Sequence, residues 1–148
     1  MLDERFFRQL LQRGAVFLWH RYDRLDDPSV SAKPKFIILL NAFLPDDADP
    51  LYYVLTTSKV EKALTSPLRG DRLYIAKGTY VCFASDTVID VSAAGDYHVG
   101  LDEFRALYDR NRIKLVGQLN EVHVRELDHL IVESRTVSRD MKRFITAW

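Results

Sequence analysis

The chain lacks most of the features that would declare its chemistry. It has one cysteine in 148 residues, Cys82, so an internal disulfide is impossible. Its apolar neighbours Val81 and Phe83 suggest a buried structural thiol in a reducing compartment. Net charge is also missing: 21 lysines and arginines balance 21 aspartates and glutamates. No global field therefore draws nucleic acid or an anionic membrane, and any anion site must be local. No apolar run approaches the roughly 20 residues of a membrane span. The opening MLDERFFRQLLQRG is charged throughout and has neither the apolar stretch nor the small-residue cleavage site of a signal peptide, so the expected location is cytoplasmic.

Motifs are scarce too. There is no Cys/His pair at zinc spacing, no HExxH, no glycine-rich phosphate loop and no GxSxG. The four histidines, His20, His98, His123 and His129, are scattered, and the last two, six apart on one expected helix, fall on nearly opposite faces. Neither a metal nor a cofactor is expected, and His123 and His129 read as surface residues. Internal repeats and low-complexity segments are absent.

What remains is a chain of single-domain length, 1–148, able to bury roughly 70% of its unfolded surface. Asp3 can cap a helix within 1–13 that places Phe6, Phe7, Leu10 and Leu11 on one face and ends by Gly14. Residues 14–100 are rich in strands: AVFLWHRY, then FIILL after the polar loop DRLDDPSVSAKP, then LYYVLTTS after the turn NAFLPDDADP. A helical or irregular piece, KVEKALTSPLRGD, precedes short strands at RLYIA and TYVCF joined by a Lys77-Gly78 hairpin turn, and a further strand at TVIDV. Residues 101–148 are helix-rich: LDEFRALYDRN, a helix capped by Asn120 with Val122, Leu127, Leu130 and Ile131 on its apolar side, and a last helix capped by Thr136 or Ser138. The first three strands follow one another with only loops between, which fits a doubly wound parallel sheet poorly and argues for antiparallel pairing. The expected class is α+β: an SH3-like small antiparallel β-barrel or strongly bent sheet, with helices packed at both ends. The C-terminal MKRFITAW offers Phe144 and Trp148 either to its own sheet or to a partner.

Several polar positions invite chemistry. In SAKPKFIILLN, Lys33 and Lys35 stand at the mouth of an apolar strand, as solvated punctuation or as a contact for an anion. In LTTSK, Thr56, Thr57, Ser58 and Lys59 gather hydroxyls and an ammonium at one strand end, where they either satisfy a turn or meet an anion. His20, beside Arg21, is either an edge residue or an acid–base group acting on a phosphate. Asp86, in SDTVID, is a turn former or a site carboxylate. The Arg69-Gly70-Asp71 tripeptide matches an adhesion signal that is frequent by chance and is discounted.

Taken in order, GAVFLWHRYD, KPKFIILLN, YYVLTTSK, VCFASDTVID and the Gly-Gln-Leu of 117–119 leading into a helix resemble the PemK/MazF-type toxin family over roughly residues 14–131. In KPKFIILLN, Lys33 and Lys35 take the family's basic positions, with Phe36 where proline is usual, and Thr57-Ser58 match its Thr-Ser strand end. Where the family carries an arginine and an acid two residues later, this chain holds Cys82 and Ala84. The resemblance implies an SH3-like barrel with appended helices, usually a homodimer, with metal-independent endoribonuclease activity on single-stranded RNA and an antitoxin partner. It would give Lys35, Thr57, Ser58, and His20 or Asp86 catalytic parts, and Lys33, Arg21 and Lys59 contacts to RNA. The acidic Asp23, Asp26 and Asp27 would repel RNA. The alternative from another class is a catalytically silent barrel serving as a protein-binding module of a toxin–antitoxin or mobile-element system.

Overall fold

A computed structural model describes residues 3–24, 33–41, 50–67 and 69–146. The continuous apolar runs of the first three strands decide the architecture. β1 (Ala15–Tyr22), β2 (Lys33–Leu39) and β3 (Leu51–Thr57) pair antiparallel in sequence order, Phe17 opposite Ile37 and Ile37 opposite Leu55. Side chains alternate along a strand, so a run that is apolar at every position must be covered on both faces. Val16, Ile38 and Val54 enter one core while Phe17, Ile37 and Tyr53 enter another.

The remaining elements supply that cover. α1 (Glu4–Gln9) is capped as expected, with the Asp3 carboxylate accepting from the Arg5 N–H at 2.8 Å. It buries Phe7, and Leu11 just beyond it, against the second core, whereas Phe6, at the edge of the expected face, is exposed. After β3 come α2 (Val60–Thr65), a 3-10 turn at Arg69–Asp71, β4 (Arg72–Ile75) and β5 (Thr87–Asp90), the last paired with both β3 and β4. A two-residue strand, β6 (His98–Val99), joins the start of β3, and α3 (Leu101–Asp109) drives Phe104 edge-on against Phe17 in the second core. β7 (Ile113–Gln118) returns to pair antiparallel with β1. α4 (Glu121–Glu133) and α5 (Arg139–Thr146) then cover the first core with Leu127, Ile131 and Ile145.

The result is α+β, with a seven-strand antiparallel sheet in the order β4-β5-β3-β2-β1-β7, β6 beside β3, and five helices among the described residues. The sheet is not closed into a barrel. Among the described residues its edges β4 and β7 do not pair; α4, leaving the end of β7, packs near β4 and the 3-10 turn.

Two further expectations are corrected. TYVCF forms no strand: the Thr79 N–H bonds to the Ala76 carbonyl, closing a turn over Lys77 and Gly78, whose φ is +90°, and the Phe83 N–H bonds to the Tyr80 carbonyl in a second turn. Its aromatics serve packing instead, with Phe83 edge-on to Phe36. IKLVGQ, expected within a helix-rich end, is β7. Asn120 does cap α4, accepting from the His123 N–H at 2.9 Å, although Val122 is exposed rather than on the buried side. Ser138, of the two candidates, caps α5 by accepting from the Met141 N–H. Thr136 instead sits 2.6 Å from the Ser92 carbonyl and 3.2 Å from the Asp71 carboxylate. Asp71 is buried and also accepts from the Ser134 hydroxyl at 2.9 Å, so it is committed to the fold. Phe144 docks on its own sheet, 5.4 Å from the Tyr52 ring. The 42–49 turn, Asp26, Asp27 and Trp148 lie outside the described residues.

Gly14 holds the entry to β1 in place. Its φ is +80°, its N–H donates to the Leu39 carbonyl and its own carbonyl accepts from the Leu119 N–H, both at 2.9 Å, while a Cβ there would stand 2.7 Å from the Val124 methyl. Gly14→Ala should therefore combine left-handed strain with a clash against α4 and lower the unfolding free energy by about 2 kcal/mol or more. Urea denaturation checks this, and an unchanged midpoint would contradict it.

Candidate functional site

Antiparallel pairing brings three separate sequence segments to one end of the sheet. β2 begins where β3 ends, and β5 begins beside the end of β3, with Thr57 opposite Val88. Lys35, the Thr57-Ser58-Lys59 strand end and the Cys82–Ser85 stretch consequently line one cavity of about 320 Å³. Alternation puts Lys35 and Thr57 on one face of the sheet and Phe36 and Thr56 on the other, so the cavity opens where both faces run out. Its floor is apolar, made by Phe36 and Phe83, and its rim carries the ammonium groups and hydroxyls.

An adjoining depression of about 790 Å³ shares Ser58, Lys59 and Ser85 and adds Glu61, Lys62 and Asp86. Lysines and carboxylates alternate around it, so its potential is mixed where that of the smaller cavity is basic. The Thr57 hydroxyl accepts from the Lys59 N–H at 3.1 Å, so it closes the turn before α2 as well as lining the cavity. The turn reading of the Thr-Ser cluster is thus realised at Thr57, a residue that also borders the cavity.

Asp86 is held by its own loop. Its carboxylate accepts from the Lys77 N–H at 2.8 Å and from the Tyr74 hydroxyl, and that bond, after burial, helps raise the Tyr74 phenol above its usual value. His20, Arg21 and Lys33 line neither depression. A register shift falls between Trp19 and Tyr22, and the bulge leaves the His20 and Arg21 side chains exposed while the His20 N–H bonds to the Arg112 carbonyl. Of the eight residues nominated from sequence, the fold gathers Lys35, Thr57, Ser58, Lys59 and Asp86, and leaves the other three apart.

Sequence reasoning assigned no site role to Ser85, Cys82 or Ala84 and did not foresee the contact between Tyr80 and His123. Ser85 lines both depressions, and only the pairing of β5 with β3 brings it there. Cys82 and Ala84 line the cavity at the positions where the resemblance places an arginine and an acid. Tyr80 and His123, 43 residues apart, meet at 2.6 Å. The Tyr80 oxygen accepts from the Asn120 N–H at 2.9 Å and shares a hydrogen bond with His123 Nδ1, so the 76–86 loop is pinned to the start of α4. His123 is therefore part of the packing rather than a free surface residue.

Cys82 is half-buried, and a Cβ on Gly117 would stand 3.0 Å from its Sγ. Burial pushes the thiol upward, so it is held protonated at neutral pH. Its alkylation by iodoacetamide should be slower than that of a small free thiol, with a pH–rate midpoint above the ordinary value of about 8.5. A midpoint at or below that value would mean a thiolate stabilised at the cavity.

Among the described residues, no group of three or more His, Cys, Asp and Glu side chains is placed to hold a metal ion, and no helix is long and apolar enough to cross a membrane. No protein-family model matches the chain, and no curated protein matches it.

Proposed function

We propose that the protein is a toxin-like, metal-independent endoribonuclease whose strand-end cavity grips a phosphodiester of single-stranded RNA. The observation that carries this reading is the convergence of Lys35 and Lys59 with Thr57, Ser58 and Ser85 around one small cavity. Fixed cations and hydroxyls at one point are what a phosphorane's equatorial oxygens require. In the reaction the ribose 2′-oxygen attacks phosphorus and loses its proton to a base, the bond to the 5′-oxygen breaks, and that oxygen takes up a proton. The products are a 2′,3′-cyclic phosphate and a 5′-hydroxyl. Lys35 stabilises the phosphorane, and Thr57 and Ser58 position the phosphate. Of the two proton carriers considered, Asp86 borders the adjoining depression and His20 does not, so the role falls to Asp86. A cognate antitoxin-like protein would cover the cavity.

A second reading has its own support. The Asp86 carboxylate is engaged by Lys77 and Tyr74, and Cys82 and Ala84 offer neither an arginine fork nor an acid. These favour a catalytically silent module that binds a partner protein. Incubating the purified protein with long single-stranded RNA in EDTA distinguishes the two. The nuclease reading expects fragments ending in 2′,3′-cyclic phosphate and a fall of roughly 100- to 1,000-fold in rate for Lys35→Ala with the fold intact. Cleavage unchanged in that variant would remove Lys35 from the mechanism, and RNA left whole by the wild-type protein would favour the binding module.

A further inference from the structure

The sheet register carries the strand-end cavity beyond the residues that line it. Residues opposite one another on paired strands share a face. Leu18 stands opposite Phe36 on β2 and opposite Lys114 on β7. Phe36 forms the cavity floor, so the floor, Leu18 and Lys114 make one row, on the face that buries Val16 and Ile38. Two residues further along β1 is His20, whose N–H donates to the Arg112 carbonyl at 2.9 Å, and alternation puts Arg112 on the same face as Lys114. A side-chain contact agrees with this register. Cys82, which lines the cavity, also reaches β7: a Cβ on Gly117 would stand 3.0 Å from its Sγ, and Gly117 is opposite Val16. One wall of the cavity therefore rests on the strand that carries Arg112 and Lys114.

Charge and spacing point to the ligand. Arg112 and Lys114 are exposed, as are His20 and Arg21 beside them. The acids nearest these residues in the described sequence, Asp23 and Asp109, are ion-paired with Arg24 and Arg105 at 3.4 and 3.1 Å. A net charge of zero is thus an average that conceals a row of cations from the cavity rim to β7. From β3 through β2 and β1 to β7 is three inter-strand steps, about 14 Å in all. A single small anion in the cavity covers only the first of them. A polyanion with phosphates at regular intervals covers the whole row, and half-buried Leu18 offers an apolar step for a base or ribose between two cationic stations. A flexible single strand can enter the cavity and still follow the row, which a duplex cannot.

We propose that Arg112 and Lys114 hold the backbone of a single-stranded RNA that runs across the strand ends from the cavity to β7. The inference rests on the reading of the cavity as a phosphodiester site, though not on cleavage there. Fluorescence anisotropy of the full chain with a labelled 2′-O-methyl RNA ten-mer of mixed sequence, in EDTA, tests it, because that backbone lacks the attacking hydroxyl and stays whole during the titration. The wild-type protein should bind saturably and more weakly as salt rises. Arg112→Gln combined with Lys114→Gln should weaken binding roughly tenfold and reduce the slope of log affinity against log salt by about 1.4, which is two phosphate contacts at about 0.7 each. Arg112→Lys combined with Lys114→Arg keeps both charges and should bind as the wild type does. The inference fails if the wild-type protein does not bind the ten-mer, if the neutral pair leaves affinity and slope unchanged, or if the charge-keeping pair binds as weakly as the neutral one. Lys35→Ala separates it from the cavity reading. Binding weakened by the neutral pair but not by Lys35→Ala would sink the cavity reading and keep the β7 surface, and the reverse pattern would sink the β7 surface and keep the cavity.

Discussion

Everything in this molecule follows from the burial of β1, β2 and β3 on both faces. Val16 and Phe17 are neighbours in sequence and are each fully buried, in different cores. The same holds for Ile37 with Ile38 and for Tyr53 with Val54. Such strands gain their stability only when two layers of side chains meet them, at roughly 25 cal/mol for each Å² of apolar surface removed from water. α1 and α3 provide one layer, and α4 and α5 the other. An open sheet accommodates helices on both faces readily, and here the helix that leaves one edge strand packs against the other.

Polar contacts then lock the helical layer to the sheet. The buried Asp71 carboxylate meets the Ser134 hydroxyl, and Thr136 reaches both Asp71 and the Ser92 carbonyl. The Lys142 ammonium donates to the carbonyls of Val132 and Ser134 at the end of α4, at 2.8 and 2.5 Å. At the far end of the same helix Tyr80 bridges Asn120 and His123. Burial pushes the Asp128 carboxyl up, against the pull of its ion pair with Arg13 beside Gly14. The contacts with Asp71, Tyr80 and Arg13 tie α4 and its C-cap to segments far away in the chain and fix the register of this helix on the sheet.

The strand-end cavity is a by-product of this frame. Antiparallel pairing delivers the start of β2, the end of β3 and the start of β5 to one place, and strand ends are where polar side chains need not be buried. The hydroxyls and ammonium groups can therefore converge without desolvation. The Tyr22–Tyr53 pair is the opposite case: its hydroxyls are placed deep in a core and are hydrogen-bonded to each other.

Local sequence determined a good deal by itself. Long apolar runs at AVFLW, FIILL and LYYVL specified three buried strands, and the caps Asp3 and Asn120 specified where two helices begin, because these signals act over a few neighbouring residues. The basic and hydroxyl-rich strand ends were legible for the same reason. Tertiary structure alone decided the rest. TYVCF has the composition of a strand, yet its aromatics gain more from packing on Phe36 and on the start of α4 than from a ladder, and that contest is settled by residues about 40 positions away. β7 is a strand because β1 offers an edge, not because IKLVGQ demands one. The bulge that turns His20 and Arg21 outward, the arrival of Ser85 beside Thr57, and the meeting of two phenols 31 residues apart all depend on how sheet and helices pack. Propensity and capping are local energies and can be read along the chain, whereas register, closure and the contents of a cavity are set by contacts that exist only once the chain has folded.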